Sequence, residues 1–247
     1  MIGQRRYSAD FNYMAIGDSF SSGVGTSAFD RSSRECLRSG YAFPRLLAER
    51  LPDLRLRHLA CSGAGVADVI VRQVPQLDRR TELVTVTAGG NDVGFTPTLA
   101  QCFFGTAAAC RWAAGGSSLR ARRALPPRLA QLYRGIRAAA PDATVVALGY
   151  PRLFAPTGSL GLRIGPERRA AINGVADQLA EVQAQVAESM GIRFVDVRTA
   201  FSGHEAGSST PWINPVRMRA LSHSIHPNAR GHSRGYLPLL MDALATL

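Results

Sequence analysis

The chain has 247 residues, is 46% apolar and contains 24 Gly and 14 Pro, a globular composition with enough apolar residues for a core. No window approaches ~18 consecutive apolar residues, which speaks against a membrane-spanning helix. The formal net charge is +11 and every one of the 29 basic residues is Arg, but the arginines are scattered, and with no zinc knuckle or RNP-like aromatic pattern nucleic acid is not an expected partner.

Residues 1–14 include Arg5, Arg6, Asp10 and Asn12 and no apolar run, so the chain as given is expected to carry no signal peptide. A mature secreted protein and a cytosolic one both fit that reading. Strands are predicted at Tyr13–Ile16, Leu54–His58, Leu83–Thr87, Thr144–Leu148 and Arg193–Val197. Helices are predicted near Phe43–Leu51, Gly65–Val71, Pro127–Ala140, Pro166–Ser189 and Asn228–Ala245. Within Ala170–Val186 the apolar residues Ile172, Val175, Ala176, Leu179, Val182 and Val186 follow a helical period. Alternating β and α elements imply a mostly parallel five-stranded sheet with helices on both faces. Without an internal repeat or a long linker, residues 1–247 are expected to form one domain.

In such folds ligands bind outside the carboxyl ends of the strands. The post-strand segments are Gly17-Asp18-Ser19, Ala60-Cys61-Ser62-Gly63-Ala64-Gly65, Ala88-Gly89-Gly90-Asn91-Asp92 and Gly149-Tyr150-Pro151. Gly, Asp and Ser are also turn formers, so each segment alone reads as a turn. Ser19 nevertheless ends a strand in a Gly-rich turn, which suits a nucleophile. A serine nucleophile needs a base and oxyanion donors. Of five histidines, His58 reads as a partly buried strand-end residue, His204 as a solvated loop residue, and His232 as a capping or packing residue. His226, in Ser222-His223-Ser224-Ile225-His226-Pro227-Asn228, precedes the last helix and is the candidate base. Candidate oxyanion donors are the Ser19 N–H, the Gly63 N–H and the Asn91 side-chain amide. No cofactor or metal is called for. Cys36, Cys61, Cys102 and Cys110 lack the zinc or redox spacing C-x-x-C and allow three disulfide pairings. Disulfides are favoured because Cys102 and Cys110 flank a segment read as a loop, Phe-Phe-Gly-Thr-Ala, and they point to an oxidising compartment.

Ser19, Gly63, Asn91 and His226 in this order resemble the four blocks of the SGNH, or GDSL-type, hydrolases over residues 13 to 235. The run Gly17-Asp18-Ser19-Phe20-Ser21-Ser22-Gly23-Val24-Gly25, the segment Ala60-Cys61-Ser62-Gly63-Ala64 and the cysteine placement are similar to the secreted actinomycete lipase, phospholipase and esterase branch. The resemblance implies a three-layer α/β/α, flavodoxin-like fold and the pairings Cys36–Cys61 and Cys102–Cys110. That branch often has a third disulfide, for which this chain has no cysteines. Many members place Asp three residues before the catalytic His, where this chain has His223. Some use a backbone carbonyl instead, which implies that the carbonyl of Ser224, or alternatively of His223, orients His226; Asp196 and Asp92 are outside candidates.

The expected activity is hydrolysis of carboxylic esters, with a small-molecule or lipid substrate. Phe95, Leu99, Phe103, Phe104, Trp112, Leu153 and Phe154 are read as loop residues that line an acyl cleft, or else pack beneath those loops. The same residues would serve an acyltransferase or a sugar-ester esterase in biosynthesis, and an inactive binding module is a further alternative. A secreted monomer is expected, with a cytoplasmic location as the alternative, and transient contact with a membrane surface is compatible with the reading. Arg152, Arg163, Arg217 and Arg219 are read as solvated surface charges.

Overall fold

The computed structural model describes residues 12–52, 54–158, 164–216 and 223–246. Strands β1 (Asn12–Gly17), β2 (Arg55–His58), β3 (Thr81–Thr87), β4 (Thr144–Leu148) and β5 (Arg193–Val195) form one sheet in the order β2-β1-β3-β4-β5. Every pairing is parallel. β1 and β3 lie inside the sheet and are covered on both faces, hence runs such as Tyr13-Met14-Ala15-Ile16 with no polar alternation. Arg55-Leu56-Arg57-His58 alternates because β2 is an edge strand.

Successive strand residues feed two different cores. Met14, Ile16, Val84, Val86, Val145 and Ala147 pack with Leu129, Leu132 and Ile136 of α6 (Leu125–Ala139) and Val175, Leu179 and Val182 of α7 (Pro166–Ser189). Tyr13, Ala15, Leu83, Val146 and Leu148 pack with Phe43 and Leu47 of α2 (Phe43–Arg50) and Leu237 and Leu240 of α8 (Leu237–Ala245). The period-2 geometry of strands separates the two sets and produces three layers, α/β/α. β1 is followed in the chain by β2 on one side of it and then by β3 on the other, so the carboxyl ends of β1 and β3 flank the topological switch point.

Three sequence readings need correction. β5 stops at Val195, not Val197, because Asp196 Oδ1 accepts from the Arg198 N–H at 3.0 Å and turns the chain. The last helix starts at 229, close to its predicted start at Asn228, but it is π-helical over Gly231–Tyr236 ahead of α8, where Pro238 removes a ladder donor. The segment around Cys102 and Cys110 is not a loop. It is a helical hairpin, α4 (Phe95–Phe104) and α5 (Ala107–Arg123), with Thr106 capping α5 by accepting from the Ala109 N–H at 3.1 Å. Gly, Thr, Ser and aromatic residues weaken its helix propensity. Packing supplies what propensity lacks: Cys110, Ala113, Ala114, Ser117 and Ala121 are buried, and Thr98 and Ser117 share a 2.7 Å hydroxyl hydrogen bond. Disulfides join Cys102 to Cys110 across this hairpin and Cys36 to Cys61.

Candidate active site

Asp18 caps the one-turn helix α1 (Ser19–Ser22) by accepting from the Phe20 N–H at 3.0 Å, which places Ser19 at the first helical position. Gly17 ends β1 with φ of 124°, and a Cβ there would collide with the Thr87 carbonyl. Only glycine fits this corner, which leads directly into the turn that carries Ser19.

His226 Nε2 lies 2.8 Å from Ser19 Oγ, and His226 Nδ1 lies 2.9 Å from the Ser224 carbonyl oxygen. A carbonyl only accepts, so Nδ1 carries the ring proton and the Nε2 lone pair faces Ser19. Burial, with a smaller contribution from His223, pushes the His226 pKa down to about 4 against the Ser224 hydrogen bond, so the ring is neutral at pH 7. Ile225 adopts φ of 57°, a left-handed conformation that is costly for a β-branched residue. Asn214 holds this turn. Its carbonyl accepts from the Ile225 N–H at 3.1 Å, its N–H donates to the His226 carbonyl at 3.0 Å, and its side-chain amide donates to the carbonyls of Gly25 (2.6 Å) and His223 (3.1 Å). The His223 carbonyl is thus engaged by Asn214, while the His223 ring packs edge-on against Phe29. Asp196 binds Arg198; Asp92 accepts from the Val66 N–H and from Arg128.

The Asn91 amide donates to the Ala64 carbonyl at 3.0 Å, and its second N–H remains for the cleft. The backbone N–H groups of Ser19 and Gly63 have no acceptor among the described residues. Ser19, Asn91, Ser224 and His226 line one cleft with Phe95, Leu99, Tyr150 and Leu153, whereas Gly63 lines a second groove with Cys36, Cys61 and Ser62. Of the proposed acyl-cleft residues, Phe95, Leu99 and Leu153 are present. Phe103 packs edge-on against buried Phe154, and Phe104 and Trp112 face outward. Among the described residues no group of three His, Cys, Asp or Glu is placed to hold a metal ion.

Sequence reasoning missed the network beneath the serine. Asp18 is buried and also accepts from the Thr87 hydroxyl at 2.7 Å and the Tyr150 hydroxyl at 2.5 Å. Tyr150 in turn accepts from the Gly90 N–H at 3.2 Å. Burial raises the Asp18 pKa to about 6 despite these donors. Tyr150 stands in one of the post-strand segments, and that position was the available signal. The other histidines are packed: His58 Nε2 contacts the Ser21 carbonyl at 3.0 Å, His204 stacks on Trp212 at 3.7 Å between ring centres, and His232 Nδ1 accepts from the Phe43 N–H at 3.3 Å. Arg152 pairs with Asp177; Arg163, Arg217 and Arg219 lie outside the described residues.

A model of the GDSL-like lipase/acylhydrolase family matches residues 15–234. A lipase of Streptomyces rimosus is 41% identical over 232 residues, 94% of this chain and 86% of that protein. Lipase 1 of Streptomyces coelicolor is 40% identical over 231 residues, with the same coverage of 94% and 86%. The crystal structure of the extracellular lipase of S. rimosus matches with a TM-score of 0.91 at 41% identity, covering 94% of this chain and 99% of the other. That of phospholipase A1 from Streptomyces albidoflavus matches with a TM-score of 0.90 at 39% identity, covering 94% and 98%.

Proposed function

The chain belongs to the GDSL-like lipase/acylhydrolase family, a family of carboxylic ester hydrolases, and from that premise we propose that it cleaves lipid esters through a covalent acyl-enzyme on Ser19. The observation that carries this reading is the 2.8 Å contact between Ser19 Oγ and the unprotonated Nε2 of His226 in an apolar cleft. His226 Nε2 takes the Ser19 proton as Oγ attacks the ester carbonyl. The oxyanion is held by the Ser19 N–H and the second amide hydrogen of Asn91, with the N–H of Gly63, which lines the adjoining groove and precedes the Ala64 whose carbonyl holds Asn91, as the third donor. His226 then gives the proton to the leaving alkoxide, and the alcohol departs. A water, deprotonated by His226, cleaves the acyl-enzyme, releases the carboxylic acid and restores the Ser19 hydroxyl. The Ser224 carbonyl fixes the tautomer and orientation of the ring, but lends the imidazolium less stabilisation than a carboxylate would.

Lipid esters are favoured because Phe95, Leu99 and Leu153 make the cleft apolar and because similar proteins are a lipase and a phospholipase A1. The extracellular character of the S. rimosus lipase and the two disulfides support export. The test is turnover of p-nitrophenyl esters and phospholipids. Ser19→Ala and His226→Ala should abolish it, Asn91→Ala should slow it by about 10²–10³, and Asp196→Asn should leave it intact. Loss of activity in folded Asp196→Asn as complete as in Ser19→Ala overturns the carbonyl-supported dyad.

A further inference from the structure

The helical hairpin α4–α5 carries two aromatic rings that the cleft does not use: Phe104 is 66% and Trp112 83% exposed. Each stands two residues after a fully buried cysteine of the Cys102–Cys110 disulfide. At about 100° per residue, a position two residues on lies on the opposite side of the helix, so burying the disulfide turns both rings outward. Along α5 the same outward face continues through exposed Ala108, Gly115 and Leu119, spaced with Trp112 at helical intervals. A Cβ built on Gly115 meets nothing within 4 Å.

The edges of this stripe are basic. Arg111, Arg122 and Arg123 flank it and are exposed, and residues 93–141 contain seven arginines and no Asp or Glu. Arg111 pairs with Glu167 and Arg122 donates to Gln178 on α7, while Arg123 has no partner among the described residues.

We propose that the outward face of α5, with Phe104 beside it, docks the protein on a lipid–water interface that carries anionic headgroups. An apolar stripe edged by guanidinium groups is the pattern of a helix lying in such an interface, and a Trp ring sits well at headgroup depth. A nucleic acid would match the charge and leave Phe104 and Leu119 unmatched. A second copy would set one arginine-rich face against another. The same hairpin reaches the cleft, because Phe95, Thr96 and Leu99 of α4 line it. The inference rests on the lipid-ester reading for its purpose, but its test does not depend on catalysis.

Vesicles of dialkyl-ether phosphatidylcholine, alone or mixed equally with the ether analogue of phosphatidylglycerol, contain no ester to cleave. The protein should sediment with mixed vesicles more strongly than with neutral ones, and its Trp emission should shift to the blue. Arg122→Gln/Arg123→Gln should weaken binding to mixed vesicles by about thirtyfold, because each of the two basic residues near such a surface contributes about 1 kcal/mol. Phe104→Ser/Trp112→Ser should weaken it at least as much and lose the emission shift, whereas Trp112→Phe should retain most binding. All variants should hydrolyse p-nitrophenyl butyrate at the wild-type rate, which certifies their fold. The proposal is overturned if the protein ignores mixed vesicles, if Phe104→Ser/Trp112→Ser binds like wild type, if duplex DNA is bound more tightly than vesicles, or if the variant dissociates a wild-type dimer. Failure of the lipid-ester reading is distinct: vesicle binding persists, yet no fatty acid is released from ester phospholipids.

Discussion

Asp18 and Tyr150 explain how a serine in an ordinary-looking turn is held in register with a second turn. The Tyr150 hydroxyl donates to Asp18 beneath Ser19 and accepts from Gly90 beside Asn91. Tyr150→Phe keeps the ring against Phe20, whose centroid is 4.9 Å away, but leaves a buried carboxylate oxygen and an N–H less well satisfied. We expect a loss of about 1–3 kcal/mol of stability, measured by denaturant unfolding. A fall in kcat with little change in KM should accompany it, because the donors shift while the apolar cleft stays. His226 makes a second prediction at this scale. With its pKa lowered to about 4 by burial, the base remains unprotonated well below the usual histidine range. The acid limb of kcat/KM should therefore lie far below about 6.5; a limb at that value contradicts a buried neutral base. Ser19 and His226 were legible because both stand where strand ends and helix starts place functional groups. The choice between the Ser224 and His223 carbonyls was not, because it is set by the left-handed Ile225 and by the side chain of Asn214, nine residues before His223, and neither conformation nor contact shows in residue type alone.

Among the elements, the approach of the His226 turn to the α1 region is controlled by Gly25. A Cβ on Gly25 would lie 2.8 Å from the His226 Cβ and would also strike the Pro227 carbonyl. Gly25→Ala should displace the His226 turn and reduce kcat/KM by orders of magnitude, on the scale of losing a well-placed general base, about 10²–10⁴. Its circular dichroism should remain native; wild-type turnover by Gly25→Ala would show that the turn has slack. Strands were readable from β-branched and apolar runs, and α7 from its period. The α4–α5 hairpin was not, since Gly105-Thr106 and Gly115-Gly116 are loop-forming residues and the helices depend on packing of small side chains. That miss placed Phe104 and Trp112 in the cleft or beneath its loops, whereas both are exposed.

Across the whole molecule, three histidines, His58 and His232 buried and His226 half-buried, couple folding to pH. Burial lowers His58 and His226 to about 4 and His232 to about 3. Between those values and the unfolded value near 6.5 the unfolded chain binds more protons, so stability falls as pH drops through that window. Asp18, raised to about 6, acts in the opposite direction, because the folded state binds its proton more tightly between about 4 and 6. Three groups outweigh one, and the thermal midpoint should fall between pH 6.5 and pH 4.5; a midpoint that rises on acidification contradicts this balance. The parallel order β2-β1-β3-β4-β5 brings the candidate nucleophile Ser19 and the candidate donor Asn91 to one switch point, where His226, the proposed base, meets Ser19. The most direct measurement of that claim is intact-mass and peptide analysis after reaction with a fluorophosphonate probe. One adduct per chain, located on Ser19, abolished in Ser19→Ala and strongly slowed in folded His226→Ala, is the predicted result. No adduct, or labelling of another residue in active protein, would contradict it.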